Sequence, residues 1–233
     1  MNGPSNPRRA RVWLFDLDNT LHNASHAAFG GINTAMTDDM LRELAITAPE
    51  ADHLRREYWL RYGATLLGLV RHHGIRAPHF LHHTHLLPGL EDRVHSHPHD
   101  LAAVRRLKGR KYILTNAPRA YTERVLGVLG IARWFDGVIA IEDMHMFGQL
   151  RPKPDARMLR RLVAQLRVPA TRCVLVEDTL DHQKAARRVG MHTVWMQRWM
   201  RLAALPPGGP VARHGLRPAY VDRRVPSLGD LLR

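Results

Sequence analysis

Short apolar runs that stop abruptly on polar residues recur along the chain. The first, Val12-Trp13-Leu14-Phe15, is continuous, aromatic and β-branched. It predicts a strand buried on both faces, as in a parallel sheet. Residues 111–114 end on Thr115-Asn116, residues 137–141 on Glu142-Asp143, and residues 173–176 on Glu177-Asp178-Thr179. A fifth run, 192–196, follows Gly190. Two helical periodicities lie between these runs. Residues 120–129 set Tyr121, Val125, Val128 and Leu129 on one face and stop at Gly130. Residues 155–166 begin after Pro154 and set Met158, Leu159, Leu162 and Leu166 on one face. Strands alternating with helices imply right-handed βαβ crossovers, and ligands then bind beyond the carboxyl ends of the strands.

Residues 24–99 read differently, for no strand pattern occurs there. Thr47-Ala48-Pro49-Glu50 is a capping box with proline in the first turn, opening a helix that runs to Tyr62. A second helical stretch runs from Leu66 to Gly74, and a His- and Pro-rich segment over 86–98 leads back. Residues 220–222 predict a last short strand, residues 227–232 a last helix, and the Pro/Gly/Arg-rich tail over 206–218 a loop. The fold class is therefore α/β. A Rossmann-like parallel sheet flanked by helices is built from 1–23 and 100–233, and an all-helical domain is inserted over 24–99.

A chain of 233 residues that is 45% hydrophobic can bury one substantial core together with an inserted domain. Its single cysteine, Cys173, excludes an intrachain disulfide and fits a reducing, cytoplasmic setting. The polar opening residues carry no apolar stretch of signal-peptide length, and no run is long enough to span a membrane. The net charge of +14 suits anionic partners. However, 31 of the 35 basic residues are arginine and they are scattered, without a zinc-finger or heptad pattern. Specific nucleic-acid binding is therefore not expected, and the arginine excess is read as compositional.

The chemistry begins at Asp16-Leu17-Asp18-Asn19-Thr20. Residues i and i+2 of an extended chain point the same way, so Asp16 and Asp18 can share a site. Two close carboxylates repel, and a hard cation such as Mg²⁺ relieves that repulsion while keeping waters for a phosphate. The same residues also suit a solvated turn with an Asx cap.

In chain order, Asp16/Asp18, Thr115, Lys153 and Glu177-Asp178 stand at strand ends or ahead of a helix. This series resembles the four motifs of the haloacid dehalogenase-like (HAD) hydrolase superfamily, and the inserted helices match the position of its C1-type cap. The resemblance implies that Asp16 is the nucleophile of an aspartyl-phosphate mechanism and Asp18 the general acid and base. It implies Mg²⁺ held by Asp16, the Asp18 main-chain carbonyl and Asp178. Thr115 and Lys153 would hold the phosphoryl oxygens, with Glu177 and His182 behind the ligands. His182 departs from the Asp or Asn common at that position. Thr20 and Asn116 are expected near the substrate. Asp18 argues for phosphate chemistry, since the family's true dehalogenases lack it.

Within the superfamily, Tyr58-Trp59-Leu60-Arg61-Tyr62-Gly63 resembles the cap of pyrimidine 5′-nucleotidase-like members. That implies Trp59, Tyr62 and Gly63 at a base, and a pyrimidine nucleoside 5′-monophosphate as substrate. Core packing is the other reading of these aromatics. Three further functions stay open: a phosphatase of another small metabolite such as a sugar phosphate, a signalling receiver domain, and an arginine-rich nucleic-acid-binding protein on a hydrolase scaffold. A receiver is about half this length and lacks the insertion. The histidine runs His82-His83-x-His85 and His95-x-His97-x-His99 have metal-ligand spacing but lack a Cys or acid motif, and fit a polar surface. Oligomeric state is not legible.

Overall fold

A computed structural model describes residues 11–199 and 217–233. The tail expected as a loop over 206–218 lies almost wholly outside the described residues. Six strands form one parallel sheet: β1 (Val12–Phe15), β2 (Arg110–Leu114), β3 (Gly137–Ile139), β6 (Cys173–Glu177), β7 (His192–Met196) and β8 (Arg223–Val225), in the order β3-β2-β1-β6-β7-β8. Two short strands, β4 (His145–Met146) and β5 (Gln149–Leu150), make a separate antiparallel hairpin.

The sheet is covered on both faces, which is why its strands read as unbroken apolar runs. Trp13 and Phe15 point into one core cluster with Ile113, Val176, Tyr121 and Val125. Val12 and Leu14 alternate into the other, with Leu175, Met158, Leu159 and Ala186. Helices α7 (Pro98–Arg106) and α8 (Arg119–Leu129) contribute to the first layer, and α9 (Ala156–Leu166) and α10 (Leu180–Val189) to the second. The α8 face differs from expectation: Tyr121, Thr122, Val125 and Leu126 are buried, while Val128 is 41% exposed.

Between β1 and β2 the chain is helical: α1 (Ala24–Ala27), α2 (Phe29–Leu44), α3 (Ala48–Tyr62), α4 (Thr65–His73), α5 (Ala77–Thr84) and α6 (Leu90–Arg93). Helices α3 and α4 match the sequence reading, and the capping box at Thr47 and Glu50 is formed. Helices α2 and α5 left little trace in the pattern. The sixteen residues of α2 bury only Asp39 and Met40, and α5 is half polar. Tyr58 can pack against α4 only because Gly68 has no side chain; a Cβ there would lie 2.1 Å from the Tyr58 ring. A third cluster, with Met40, Tyr58, Leu69 and Phe80, forms the centre of the insertion and reaches Ile141 beyond β3. Its two ends belong elsewhere, since Ala27, Ala28, Leu87 and Leu90 pack into the main core.

Two expected strands shift. β3 ends at Ile139, and Glu142-Asp143 falls in a single 3₁₀ turn where both side chains tie down Arg119. The final strand is Arg223–Val225, three residues later than 220–222, because the Asp222 carboxylate takes the Thr193 amide at 3.0 Å. The last helix is 3₁₀. Among the described residues no helix is long and apolar enough to cross a membrane.

Candidate active site

Strand order places the site. β1 lies between β2 and β6, with Phe15 paired to Ile113 on one side and Val176 on the other. The next residues at the carboxyl edge are Asp16 in the centre, flanked by Leu114-Thr115 and Glu177-Asp178. Lys153 arrives from the loop before α9. Its main chain is fastened reciprocally to Asn116: Lys153 N donates to Asn116 Oδ1 and Asn116 Nδ2 donates to Lys153 O, both at 2.9 Å. Asn116, expected near the substrate, therefore spends its amide on this loop. Lys153 Nζ reaches Asp16 Oδ1 at 2.7 Å and Glu177 Oε2 at 2.6 Å. His182 Nδ1 stands 3.0 Å from the same glutamate oxygen.

Lys153 is only 1% exposed, so these charges sit in a weakly polarisable surround. Burial raises the Asp16 carboxyl to about 8, with the Glu177 charge adding and Lys153 opposing. Burial, then Glu177 and Asp16, also push Asp178 well above the usual carboxylate range. Burial opposes the Glu177 charge too, but Lys153 and His182 outweigh it and hold that acid low. Lys153 likewise stays charged because Asp16 and Glu177 outweigh its burial. Asp16, Glu177 and Asp178 each offer an oxygen within 4.8 Å of the others. Three hard oxygen donors short of positive charge are the donor set Mg²⁺ prefers, so these residues fit that ion.

Around this centre, Thr115 Oγ1 accepts from the Ala117 amide at 3.0 Å, which leaves its hydroxyl proton free to donate. Asp18 Oδ1 accepts from the Tyr121 hydroxyl at 2.7 Å and lies 2.9 Å from His22 Nε2. Thr20 Oγ1 is buried with no hydrogen-bond partner.

The haloacid dehalogenase-like hydrolase family model matches residues 10–190. The chain belongs to this family. A plasmid phosphoglycolate phosphatase from Cupriavidus necator is 32% identical over 112 residues, or 48% of this chain and 45% of that protein. The match thus spans under half the length of that relative. Among solved structures, CbbY from Rhodobacter sphaeroides in complex with phosphate superposes with a TM-score of 0.62. It is 19% identical, and the match covers 95% of this chain and 96% of that one. The magnesium-bound YfnB structure from Bacillus subtilis gives a TM-score of 0.56 at 17% identity, covering 96% and 97%.

In this family member the three residues expected at a base differ in their surroundings. Trp59 is 60% exposed and lines a cavity of about 410 Å³ with Asn33, Met36, Asp52, Arg55 and Thr65. Tyr62 is occupied: its hydroxyl bonds His72 at 2.5 Å, and Tyr58, Arg61 and Arg71 pack on its ring. Gly63 caps α3 at φ 78°, and a Cβ there would meet Pro154 at 3.3 Å. Its smallness serves the contact between the insertion and the Lys153 loop. Sequence reading missed His22 and Tyr121. Only the i, i+4 spacing of Asp18 and His22 hinted at the first.

Proposed function

We propose that this hydrolase is a Mg²⁺-dependent phosphatase of a small phosphorylated metabolite, working through an aspartyl-phosphate. The observation that carries the reading is Lys153, buried and bonded at once to Asp16 and Glu177. In this reading the inserted helices over 24–99 are the cap. Asp16 attacks phosphorus: its Oδ–P bond forms as the P–O bond to the leaving group breaks, and Asp18 supplies the proton to the departing oxygen. Asp18 then takes a proton from the water that attacks the aspartyl-phosphate, releasing inorganic phosphate and restoring Asp16. Tyr121 and His22 hold the Asp18 carboxyl in place through both steps. The Thr115 hydroxyl and the Lys153 ammonium face the phosphoryl oxygens where charge builds up. Asp16, Asp178 and the Asp18 main-chain carbonyl would hold the Mg²⁺, which when bound neutralises phosphate charge.

In the cap cavity Arg55 is already bonded to Asp52, Asn33 and Thr37, so Arg56 is the cation that favours an anionic leaving group there. Thr65 on its wall is two residues from Gly63, which meets the Lys153 loop. The phosphoglycolate phosphatase relative agrees in kind. A pyrimidine nucleotide rests on Trp59 alone, since the Tyr62 ring is already packed. The test is phosphate release with and without Mg²⁺ from phosphoglycolate, sugar phosphates, pyrimidine nucleoside monophosphates and p-nitrophenyl phosphate. Mg²⁺-dependent release is expected, falling by about a thousandfold or more in Asp16→Asn. Wild-type turnover in that variant would remove the reading.

A further inference from the structure

We propose a second metal site, separate from the hydrolase centre, on the outer face of the helical insertion between α2 and α5. It takes a transition-metal dication of the Zn²⁺ class. Three donors come together: Asp39 and Glu43, spaced i, i+4 on one face of α2, and His79 on α5. His79 Nε2 lies 3.6 Å from Glu43 Oε1, and one donor atom from each of Asp39, Glu43 and His79 falls within 4.8 Å of the others. The His83 ring packs against His79, with centroids 4.2 Å apart, and steadies that imidazole.

Asp39 is what separates this cluster from an ordinary solvated surface. It is 1% exposed. Its Oδ1 accepts from Arg42, but Oδ2 is sealed from solvent and has no hydrogen-bond partner. A buried carboxylate oxygen without a partner is costly, and a cation between Asp39, Glu43 and His79 supplies one. Arg42 also reaches Glu43 Oε1 at 3.3 Å, so it holds one oxygen of each acid and orients the pair. Imidazole combined with carboxylate suits Zn²⁺, whereas Mg²⁺ prefers oxygen alone and belongs at Asp16.

The test uses the full chain without a histidine tag, carrying Asp16→Asn and Asp178→Asn so that the hydrolase centre is weakened as a competitor. Zn²⁺ is titrated against a chromophoric chelator, and Co²⁺ absorption is followed in parallel. One saturable equivalent is expected. His79→Ala and Glu43→Gln should each weaken it at least about tenfold and change the Co²⁺ spectrum. Both side chains are partly exposed, so both variants should fold, which circular dichroism checks. Zn²⁺ uptake that is absent, or unchanged in those variants, overturns the site. Since the readout is metal binding and not turnover, its failure leaves the phosphatase reading untouched, and the converse also holds.

Discussion

The sheet edge and the inserted helices hold the same kinds of charged side chain under opposite conditions. At the sheet edge Lys153, Asp16 and Glu177 are paired within 2.7 Å and almost fully buried. On α3, His53, Arg61 and Glu57 are paired at 3.8–3.9 Å, with side chains 42–78% exposed. Water screens the second set, so its pairs contribute little. The first set has lost its water and depends on its partners. Burial, more than the count of ion pairs, decides which of the many charges in this chain carry consequences.

The largest expected break in that comparison is Lys153→Met. It leaves Asp16 and Glu177 buried without their cation. Stability should fall by about 3–5 kcal/mol in urea unfolding, and phosphate release should disappear. A variant as stable as the parent would mean that water reaches the centre. The matching change in the insertion, Glu57→Gln, should move stability by no more than about 0.5 kcal/mol.

A smaller effect follows from proton binding. The folded-state value of Asp16 is about 8 against an ordinary 3.8, so the native protein holds the proton more tightly than the unfolded chain. Without metal, this stabilisation is complete below 3.8 and is lost as pH rises through about 8. Mg²⁺ needs the carboxylate form, so the Tm gain from added Mg²⁺ should be greater near pH 8 than near pH 6. Thermal melts at the two values check this, and an equal gain at both would argue against Asp16 as a ligand. The smallest effect on catalysis is expected from Tyr121→Phe, which removes one hydrogen bond to Asp18. It should lower kcat by roughly tenfold, corresponding to about 1.4 kcal/mol, with KM little changed. A rise in KM alone would place Tyr121 at the substrate instead.

The strand ends are legible in the sequence because the centre of a parallel sheet leaves few ways to end an apolar run. Asp16, Thr115 and Glu177-Asp178 each follow such a run, and the structure brings them to one edge with Lys153. What stayed hidden depends on contacts between distant segments. Tyr121 meets Asp18 across 103 residues, and nothing local distinguishes it from a core tyrosine. Asn116 read as a neighbour of the substrate because its role is a main-chain clamp on a loop far along the chain. Helices α2 and α5 stayed hidden because they bury too little apolar surface to mark a face. The shift of β3 has a local cause: Ile141 belongs to the insertion's cluster, so the apolar run outlasts the strand.

The Asn116 clamp has one further consequence. The two residues it joins stand 37 positions apart, and after β3 the chain runs through the β4-β5 hairpin before this pair of hydrogen bonds brings it back to the sheet edge. A hairpin tip held outside such a clamp can lengthen cheaply, since doubling a flexible loop costs only about 0.6 kcal/mol. The β4-β5 hairpin, a few residues before Lys153, carries Phe147, 94% exposed. That tip can therefore change in length or shape while Lys153 keeps its place beside the central strand.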